Sequence, residues 1–144
     1  MVHLTRTLDD DALLCVALSS LAEHDLRGGD TAAAARHQRE SLHLAAELAI
    51  PIPIACALII AARLAEQKGV DETAVRLQAA ADDMLDEAGF ELLPSDRALS
   101  DDMLSRARER LDGGRFATLT REGQELSLHR RIELADDVLG QAAG

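Results

Sequence analysis

The pair Glu40 and His43 is the pattern in this chain that comes nearest to a metal-binding motif. A Glu-x-x-His spacing places both side chains on one face of a helix, as in di-iron helix bundles. Those sites need a second such motif and further inward-facing carboxylates, and the sequence contains no second Glu-x-x-His. His37 lies six residues before His43, a spacing that puts the two imidazoles on different helix faces. We therefore expect surface polar residues here, with no metal and no other cofactor.

The residues that could act as nucleophiles, Cys15 and Cys56, lie in strongly apolar stretches. A thiol in such surroundings stays protonated and unreactive. The serines Ser19, Ser20 and Ser100 have neither the Gly-rich turn nor the nearby base that activates a catalytic hydroxyl. The sequence therefore predicts no catalytic residue, and two reduced core cysteines of a cytoplasmic protein rather than a disulfide.

The two cysteines belong to a sequence pattern that repeats after 41 residues, the distance from Cys15 to Cys56. Residues 27–30 read Arg-Gly-Gly-Asp and residues 68–71 read Lys-Gly-Val-Asp, each between an apolar segment and an Ala-rich amphipathic one. Glycine ends a helix and aspartate caps the next one, so each unit is predicted to be a helix–turn–helix. One such unit cannot bury its apolar face alone and therefore stacks on its neighbour.

The composition favours an all-α domain that does not bind nucleic acid. Of 144 residues, 50 are Ala or Leu and only two are aromatic, whereas pleated sheets favour β-branched and aromatic side chains. The net charge of −11 opposes binding of the whole chain to a polyanion. The most apolar segment, residues 50–62, contains two prolines and is too short to cross a bilayer, and no signal peptide is apparent. We expect a cytoplasmic protein without membrane contact.

Apolar periodicity and turn residues predict about seven helices in a single domain, residues 1–144. The first five predicted helices cover residues 9–27, 31–48, 54–68, 72–88 and 96–111. A short sixth helix, ended by Gly123, and a final helix follow. Asp30, Ser95 and Ser127 are the predicted caps of the second, fifth and last helices. The units of the stack are residues 9–48, residues 52–89 and a C-terminal helical cap at 95–142.

The second half of the chain resembles a known family of helical-repeat domains. Residues 74–81 read Ala-Val-Arg-Leu-Gln-Ala-Ala-Ala, and residues 93–97 read Leu-Pro-Ser-Asp-Arg. Phe116 precedes a short helix, and Gly123 followed by Leu-Ser-Leu at 126–128 opens the last one. Together these motifs resemble the C-terminal part of the helical-repeat domain in large bacterial LuxR/MalT-type ATPase transcriptional regulators. The two helix pairs are similar to long tetratricopeptide repeats.

The chain departs from this family in two places and lacks two of its modules. Leu119 and Thr120 stand where an aromatic residue is common, and a basic segment, 129–131, replaces an acidic first turn of the last helix. A basic first turn opposes the helix dipole. The sequence contains no Gly-x-x-x-x-Gly-Lys-Ser/Thr motif and no DNA-binding helix-turn-helix. Neither nucleotide hydrolysis nor direct nucleic-acid binding is therefore expected of this chain.

The resemblance implies a non-enzymatic protein-interaction or signal-sensing module of a bacterial transcriptional regulator, folded as an α-α superhelix. In such stacks the first helix of each pair lines a concave groove. The predicted partner-binding groove consists of Leu18, Asp25, Ile59, Arg63 and Glu66. Arg63 is the lone base of a strongly apolar helix, and we expect its side chain to keep the charge near solvent.

A second candidate surface is basic. Seven arginines but only four acidic residues lie between Arg106 and Arg131. Solvated helix faces with i,i+4 pairing are the favoured interpretation, and a docking patch for an acidic partner at Arg115, Arg121, Arg130 and Arg131 is the alternative. Nucleic acid is less favoured because no set of aromatic stacking residues accompanies these arginines. The expected partner is a protein or peptide, with a second copy of the chain, as a homodimer, among the alternatives. The alternative function is that of a small helical-bundle metal-binding protein or enzyme.

Overall fold

A computed structural model describes residues 2–144, and their side chains from Asp10 onward. These residues form seven α-helices and no strand, which confirms the predicted all-α fold. The helices are α1 (Val2–Arg27), α2 (Thr31–Leu48), α3 (Pro51–Gln67), α4 (Asp71–Ala88), α5 (Pro94–Arg110), α6 (Gly113–Glu125) and α7 (Leu128–Ala143). None of the helices within residues 2–144 is both long and apolar enough to cross a membrane.

The centre of the stack is α3, because apolar side chains surround it on every side. Residues 57–62 are buried without interruption, which leaves no polar face on this part of the helix. The helix packs against α1, α2, α4, α5 and α7. Its many alanines let neighbouring helices approach closely. The strongly apolar segment of the sequence is therefore the core of the domain.

Two helix pairs, α1 with α2 and α3 with α4, are joined by turns of the same conformation. The pairs repeat at an interval of 40 residues, one fewer than the sequence pattern predicted. Gly29 and Gly69 both adopt the left-handed conformation, with φ of +83° and +82°. The next residue closes each turn, since the Asp30 amide donates to the Asp25 carbonyl and the Val70 amide to the Ala65 carbonyl.

The 40-residue interval changes which residues are equivalent. Gln38 on α2 and Gln78 on α4 now correspond, and both side chains are fully buried. Cys15 corresponds to Ala55 rather than to Cys56, so the prediction that the two cysteines occupy equivalent positions is wrong.

In the first turn Asp30 directly follows Gly29, whereas in the second turn Val70 separates Gly69 from Asp71. Matching the two aspartates therefore shifted the alignment of the repeats by one residue.

The last two helices do not continue the stack but fold back onto it. α6 packs on α4, and α7 lies across α2 and α3. An ideal Cβ atom on Gly123 would lie 2.3 Å from the Arg76 carbonyl oxygen, so α6 meets α4 backbone to backbone at this point. Gly123 was predicted to end the sixth helix, and this prediction is wrong. The helix continues to Glu125 because close packing, rather than termination, is what requires glycine here.

Several helix ends also differ from the prediction. α3 begins at Pro51 rather than at residue 54, since proline is tolerated in a first turn that lacks amide partners. α5 likewise begins at Pro94, so Leu93 rather than Ser95 is its N-cap. The acidic run 9–11, predicted to open the first helix, lies inside α1.

Two predicted caps are confirmed. The Asp30 side chain accepts a hydrogen bond from the Ala33 amide at 3.0 Å, at the start of α2. Ser127 accepts one from the Arg130 amide at 3.2 Å, at the start of α7.

Candidate functional site

A cleft opens between α1, α3 and the beginning of α5, and we call it the α1–α3–α5 cleft. Its volume is about 260 Å³. It is lined by Cys15, Val16, Ser19, Ser20, Glu23, Gln38, Ile52, Pro53, Cys56, Ile60 and Asp96. An adjoining recess of about 60 Å³ shares three of these residues and adds Ile59, Arg63 and Leu92. The cleft lies on the side formed by the first helices of successive pairs, where repeat stacks of this type have their groove.

The walls of the cleft are mostly apolar because α3 presents its hydrophobic surface there. Ile60 is 2% exposed and belongs to the core, whereas Val16 on α1 is 59% exposed and stands at the rim. Because apolar side chains line the cleft from its buried base to its exposed rim, an apolar group of a partner can enter it. Burial of such a group would supply binding free energy roughly in proportion to the apolar area removed from water.

A chain of hydrogen bonds runs beneath the α1 side of the cleft. The Ser41 hydroxyl donates to the Cys15 carbonyl at 3.1 Å, so its oxygen is left to accept from Ser19 at 3.4 Å. Ser19 in turn accepts from Nε2 of Gln38 at 3.3 Å. This direction of donation fixes the orientation of the Gln38 amide. Its Oε1 atom is buried and has no hydrogen-bond partner among the residues whose side chains the structure describes.

The charged groups of the cleft are two carboxylates and one guanidinium. Glu23 on α1 and Arg63 on α3 occupy equivalent repeat positions, and their nearest charged atoms are 3.5 Å apart. The Arg63 side chain is only 11% exposed and its Nε atom has no partner in the described part of the chain, so the expectation that it keeps its charge near solvent is wrong. Its neighbours α1 and α5 cover it. Asp96 lies in the first turn of α5, where the helix dipole favours an acid.

Both cysteines line the cleft as free thiols. Burial, followed by the nearby carboxylates of Glu23 and Asp96, raises the pKa of Cys56 to about 11. Burial also raises the pKa of Cys15, which is fully shielded from solvent. Only a minute fraction of either thiol is therefore ionised near neutral pH, and the cleft holds no activated nucleophile of this kind.

The predicted groove residues do not all lie in this cleft. Ile59 and Arg63 line its recess. Leu18 is 6% exposed and lies in the core. Asp25 contacts Nδ1 of His37 at 2.6 Å, in the contact between α1 and α2. Glu66 accepts hydrogen bonds from arginines of α5 and is buried there. These three positions belong to helix contacts. Leu18 and Asp25 were matched to the second pair at 41 residues, so the true interval of 40 displaces them by one position, whereas Glu66 is taken up by the contact with α5.

The four residues of the predicted basic patch are spread over α6 and α7 and mostly engaged within the chain. Arg115 pairs with Glu72 of α4 at 3.0 Å, and Arg130 pairs with Glu133 within α7 at 2.6 Å. Arg121 is exposed on α6, whereas Arg131 is buried. These positions therefore do not form one continuous basic surface.

Arg131 is 6% exposed and connects three helices. Its guanidinium donates to the Ala80 carbonyl at 3.3 Å, to the Asp83 carboxylate at 3.0 Å and to the Gln124 carbonyl at 2.7 Å. The last acceptor lies at the carboxyl end of α6, where a positive charge is favoured. Arg131, in the basic first turn of α7, thus holds α4, α6 and α7 together.

Within the Glu-x-x-His motif, His43 lies on the α2 surface that faces α7, whereas Glu40 is exposed. Nε2 of His43 is 2.6 Å from the Asp136 carboxylate, which also contacts Arg39 at 2.9 Å. No group of three or more His, Cys, Asp or Glu side chains converges as metal ligands do in the part of the chain that the structure describes. His43, Arg39 and Asp136 connect the two helices.

A wider hollow, of about 470 Å³, lies beside the connection from α4 to α5. Its one guanidinium, Arg97, contacts Asp82 at 2.9 Å, and two further carboxylates, Asp86 and Glu91, line it. The hollow lies beside α4 and the α4–α5 connection, away from the side formed by the first helices of the pairs. The α1–α3–α5 cleft therefore remains the better candidate site.

Sequence reasoning missed Ser19, Gln38 and Asp96 as cleft residues. Correct alignment of the repeats would have paired Gln38 with Gln78 and marked a buried polar position. No sequence pattern indicated that the start of α5 would lie beside α1 and place Asp96 in the cleft, because this position depends on the angle between α5 and the second helix pair.

No protein-family model, no curated protein and no solved structure matched this chain.

Proposed function

We propose that this chain is a non-enzymatic helical-repeat module that binds a protein partner in the α1–α3–α5 cleft. The observation that carries the proposal is an open, apolar-walled cleft on the groove side of the stack, with carboxylates beside it. We further propose that the module serves signal sensing in a bacterial transcriptional regulator. The family resemblance of residues 74–81, 93–97 and 126–128 supports that setting.

The chemistry of the cleft favours a binding role over catalysis. Binding to a helical groove draws its affinity mainly from apolar contact, while fixed charges select the partner and its register. Both kinds of group are present in the cleft. Its thiols are held protonated by burial, and the described part of the chain offers no cluster of metal ligands. No observation favours the alternative of a metal-binding protein or enzyme.

A library of random peptides displayed on phage tests the proposal. Selection of this library against the wild-type chain yields the peptide sequences that bind to it. The selected peptides are then measured on Ser20→Trp, which places an indole at the rim of the cleft. Ser20 is exposed, so this substitution should block the cleft and leave the fold intact. The matched control is Ser105→Trp, at an exposed site on α5 outside the cleft. Circular dichroism checks both variants for unchanged helix content.

We expect peptides that bind the wild type and the Ser105→Trp control equally and bind Ser20→Trp about tenfold more weakly, since the lost apolar contact costs about 1–2 kcal/mol. The proposal fails if selection enriches no peptide. It also fails if every enriched peptide binds the Ser20→Trp variant as tightly as the wild type.

A second copy of the chain is the alternative partner, and one surface favours it. The outward side of α1 exposes Leu13 at 67%, Val16 at 59% and Leu21 at 46%. The same side carries the carboxylate of Asp10 near one end and the basic residues His24 and Arg27 near the other. Two such helices in antiparallel contact would place unlike charges together at both ends while burying the leucines. We therefore propose self-association through α1 as the second candidate.

A further inference from the structure

The acidic residues of this domain are paired with arginines at many of the helix contacts. Asp82 with Arg97 and Glu72 with Arg115 are examples, with separations of 2.9 and 3.0 Å. The α1–α3–α5 cleft is different. Asp96 forms no ion pair among the residues whose side chains the structure describes, and Arg63 reaches Glu23 only at 3.5 Å. The cleft and its recess therefore hold two carboxylates and one guanidinium, which leaves a net negative charge.

The buried amide at the cleft offers a further hydrogen-bond acceptor. Gln38 is fully buried and lines the cleft. Its Nε2 atom is committed to the hydroxyl of Ser19, so the atom left without a partner among the described residues is the acceptor Oε1. An unmade hydrogen bond of a buried amide costs free energy, so a donor that reached this oxygen would be favoured. Within the described part of the chain, the unpartnered groups that line the cleft itself, Oε1 of Gln38 and the Asp96 carboxylate, are thus acceptors, whereas the unpartnered donor Nε of Arg63 lies in the adjoining recess.

We propose that the α1–α3–α5 cleft is a pocket for the lysine side chain of the protein partner. The aliphatic stem would lie against the apolar walls formed by Ile52, Pro53 and Ile60, and the ammonium group would face the acceptors. This inference rests on the proposed function, since it specifies which partner group enters the cleft.

The geometry favours an ammonium over a guanidinium. An ammonium is compact and presents three donors, which suits separate single acceptors such as Asp96 and the Oε1 atom of Gln38. A guanidinium is planar and prefers one carboxylate in a forked contact. The cleft volume of about 260 Å³ lies below the usual range of roughly 300–1,000 Å³ for small-molecule pockets, which suits a single side chain rather than a free small molecule.

The test uses n-butylamine, which reproduces the lysine side chain beyond its α-carbon. Two-dimensional amide NMR of the full chain follows titrations with n-butylamine and with n-butanol, its uncharged analogue. We expect saturable shifts at amides around Ser20, Cys56 and Asp96, with n-butanol binding about tenfold more weakly because it lacks the charge-assisted hydrogen bonds. Equal binding of the two probes, or shifts spread evenly over the acidic surface, would overturn the proposal.

A charge-matched pair of variants locates the site. Asp96→Asn removes one carboxylate from the cleft, and we expect about tenfold weaker binding of n-butylamine. Asp86→Asn makes the same change at an exposed position on α4 outside the cleft and should leave the affinity unchanged. If both variants lose affinity equally, the amine responds only to net charge and the inference is wrong.

The two proposals can fail separately. If n-butylamine binds in the cleft but library selection yields no peptide, the ammonium pocket stands and the interaction function falls. If peptides bind through the cleft without needing a lysine, shown by lysine-to-norleucine replacement, the interaction function stands and the lysine pocket falls. An arginine requirement would likewise overturn the lysine assignment.

Discussion

At the scale of single residues, Glu66 shows how a side chain that seemed suited to a groove serves helix packing instead. It is 7% exposed on α3 and accepts a hydrogen bond from Arg106 of α5 at 2.9 Å and another from Arg110. The hydrogen bond from Arg106, followed by that from Arg110, lowers the pKa of Glu66 against the opposing effect of burial. One carboxylate therefore holds two turns of α5 against the central helix.

Replacement of Glu66 by Gln should lower the free energy of unfolding by about 1–2 kcal/mol at pH 7, because it removes the negative charge that strengthens the hydrogen bonds from Arg106 and Arg110. The folded-state pKa lies below the unfolded one, so the contribution is complete above the ordinary glutamate pKa of about 4.3. It should be lost as the pH falls through the lower, folded-state value. Urea unfolding of both proteins at several pH values measures the difference, with Glu40→Gln at an exposed position of α2 as the control. A difference that stays constant as the medium becomes acidic would contradict this explanation.

At the scale of the elements, the contact between α4 and α6 depends on a residue that has no side chain. A Cβ atom on Gly123 would meet the Arg76 carbonyl oxygen at 2.3 Å and the Ala79 Cβ at 3.0 Å. The obstacle is backbone, which cannot move away as a flexible side chain could. Gly114, in the first turn of the same helix, has nothing within 4 Å of the same atom.

These two glycines make a matched pair of tests. Gly123→Ala should destabilise the fold by about 1–3 kcal/mol, since it forces α6 away from α4. Gly114→Ala should be neutral or stabilising by up to about 1 kcal/mol, because alanine has the higher helix propensity and meets no neighbour. Thermal unfolding followed by circular dichroism compares them. Equal effects of the two substitutions would mean that helix propensity, and not close packing, determines the role of Gly123.

At the scale of the whole molecule, the exposed apolar side of α1 is an apolar surface that the fold leaves uncovered. Replacement of Leu13 by Glu should weaken self-association at least about tenfold, because a carboxylate would have to be buried between two copies. Leu93→Glu is the control, since Leu93 is equally exposed, at 68% against 67%, and lies outside α1. Sedimentation velocity over a range of concentrations gives the association constants. If the wild-type chain stays monomeric at every concentration, or if both variants behave alike, α1 is not a dimer interface.

Much of the fold followed from local properties of the chain. The abundance of Ala and Leu, the near absence of aromatic residues and the regular glycine turns predicted an all-α stack, and the structure confirms it. Asp30 and Ser127 were predictable as caps because a cap depends only on the next three residues. Helix starts at Pro51 and Pro94 were missed because proline marks either a break or a first turn, and sequence alone does not distinguish these roles.

The candidate site was only partly predictable. The groove side of the stack and the residues Ile59 and Arg63 were identified, whereas Gln38 and Asp96 were not.

A helix turns by about 100° per residue, so an error of one in the repeat interval moved predicted positions away from the groove. This explains why Leu18 and Asp25, which were matched to the second pair at 41 residues, were assigned to the groove although they lie in helix contacts. Glu66 was assigned to the groove within α3 itself, and only the packing of α5 shows that its side chain faces that helix.

The sequence by itself determined the helices, their turns and the uniformly apolar character of α3, because these depend on interactions within a few residues or on composition. Only the tertiary structure decided which charges are free. Arginines pair with carboxylates that are distant in the chain, as Arg110 does with Asp71 and Arg39 with Asp136. Pairing over such distances depends on the angles between packed helices, which no local pattern encodes. For the same reason the carboxylate of Asp96, left without an arginine beside an apolar cleft, became visible only in the folded chain.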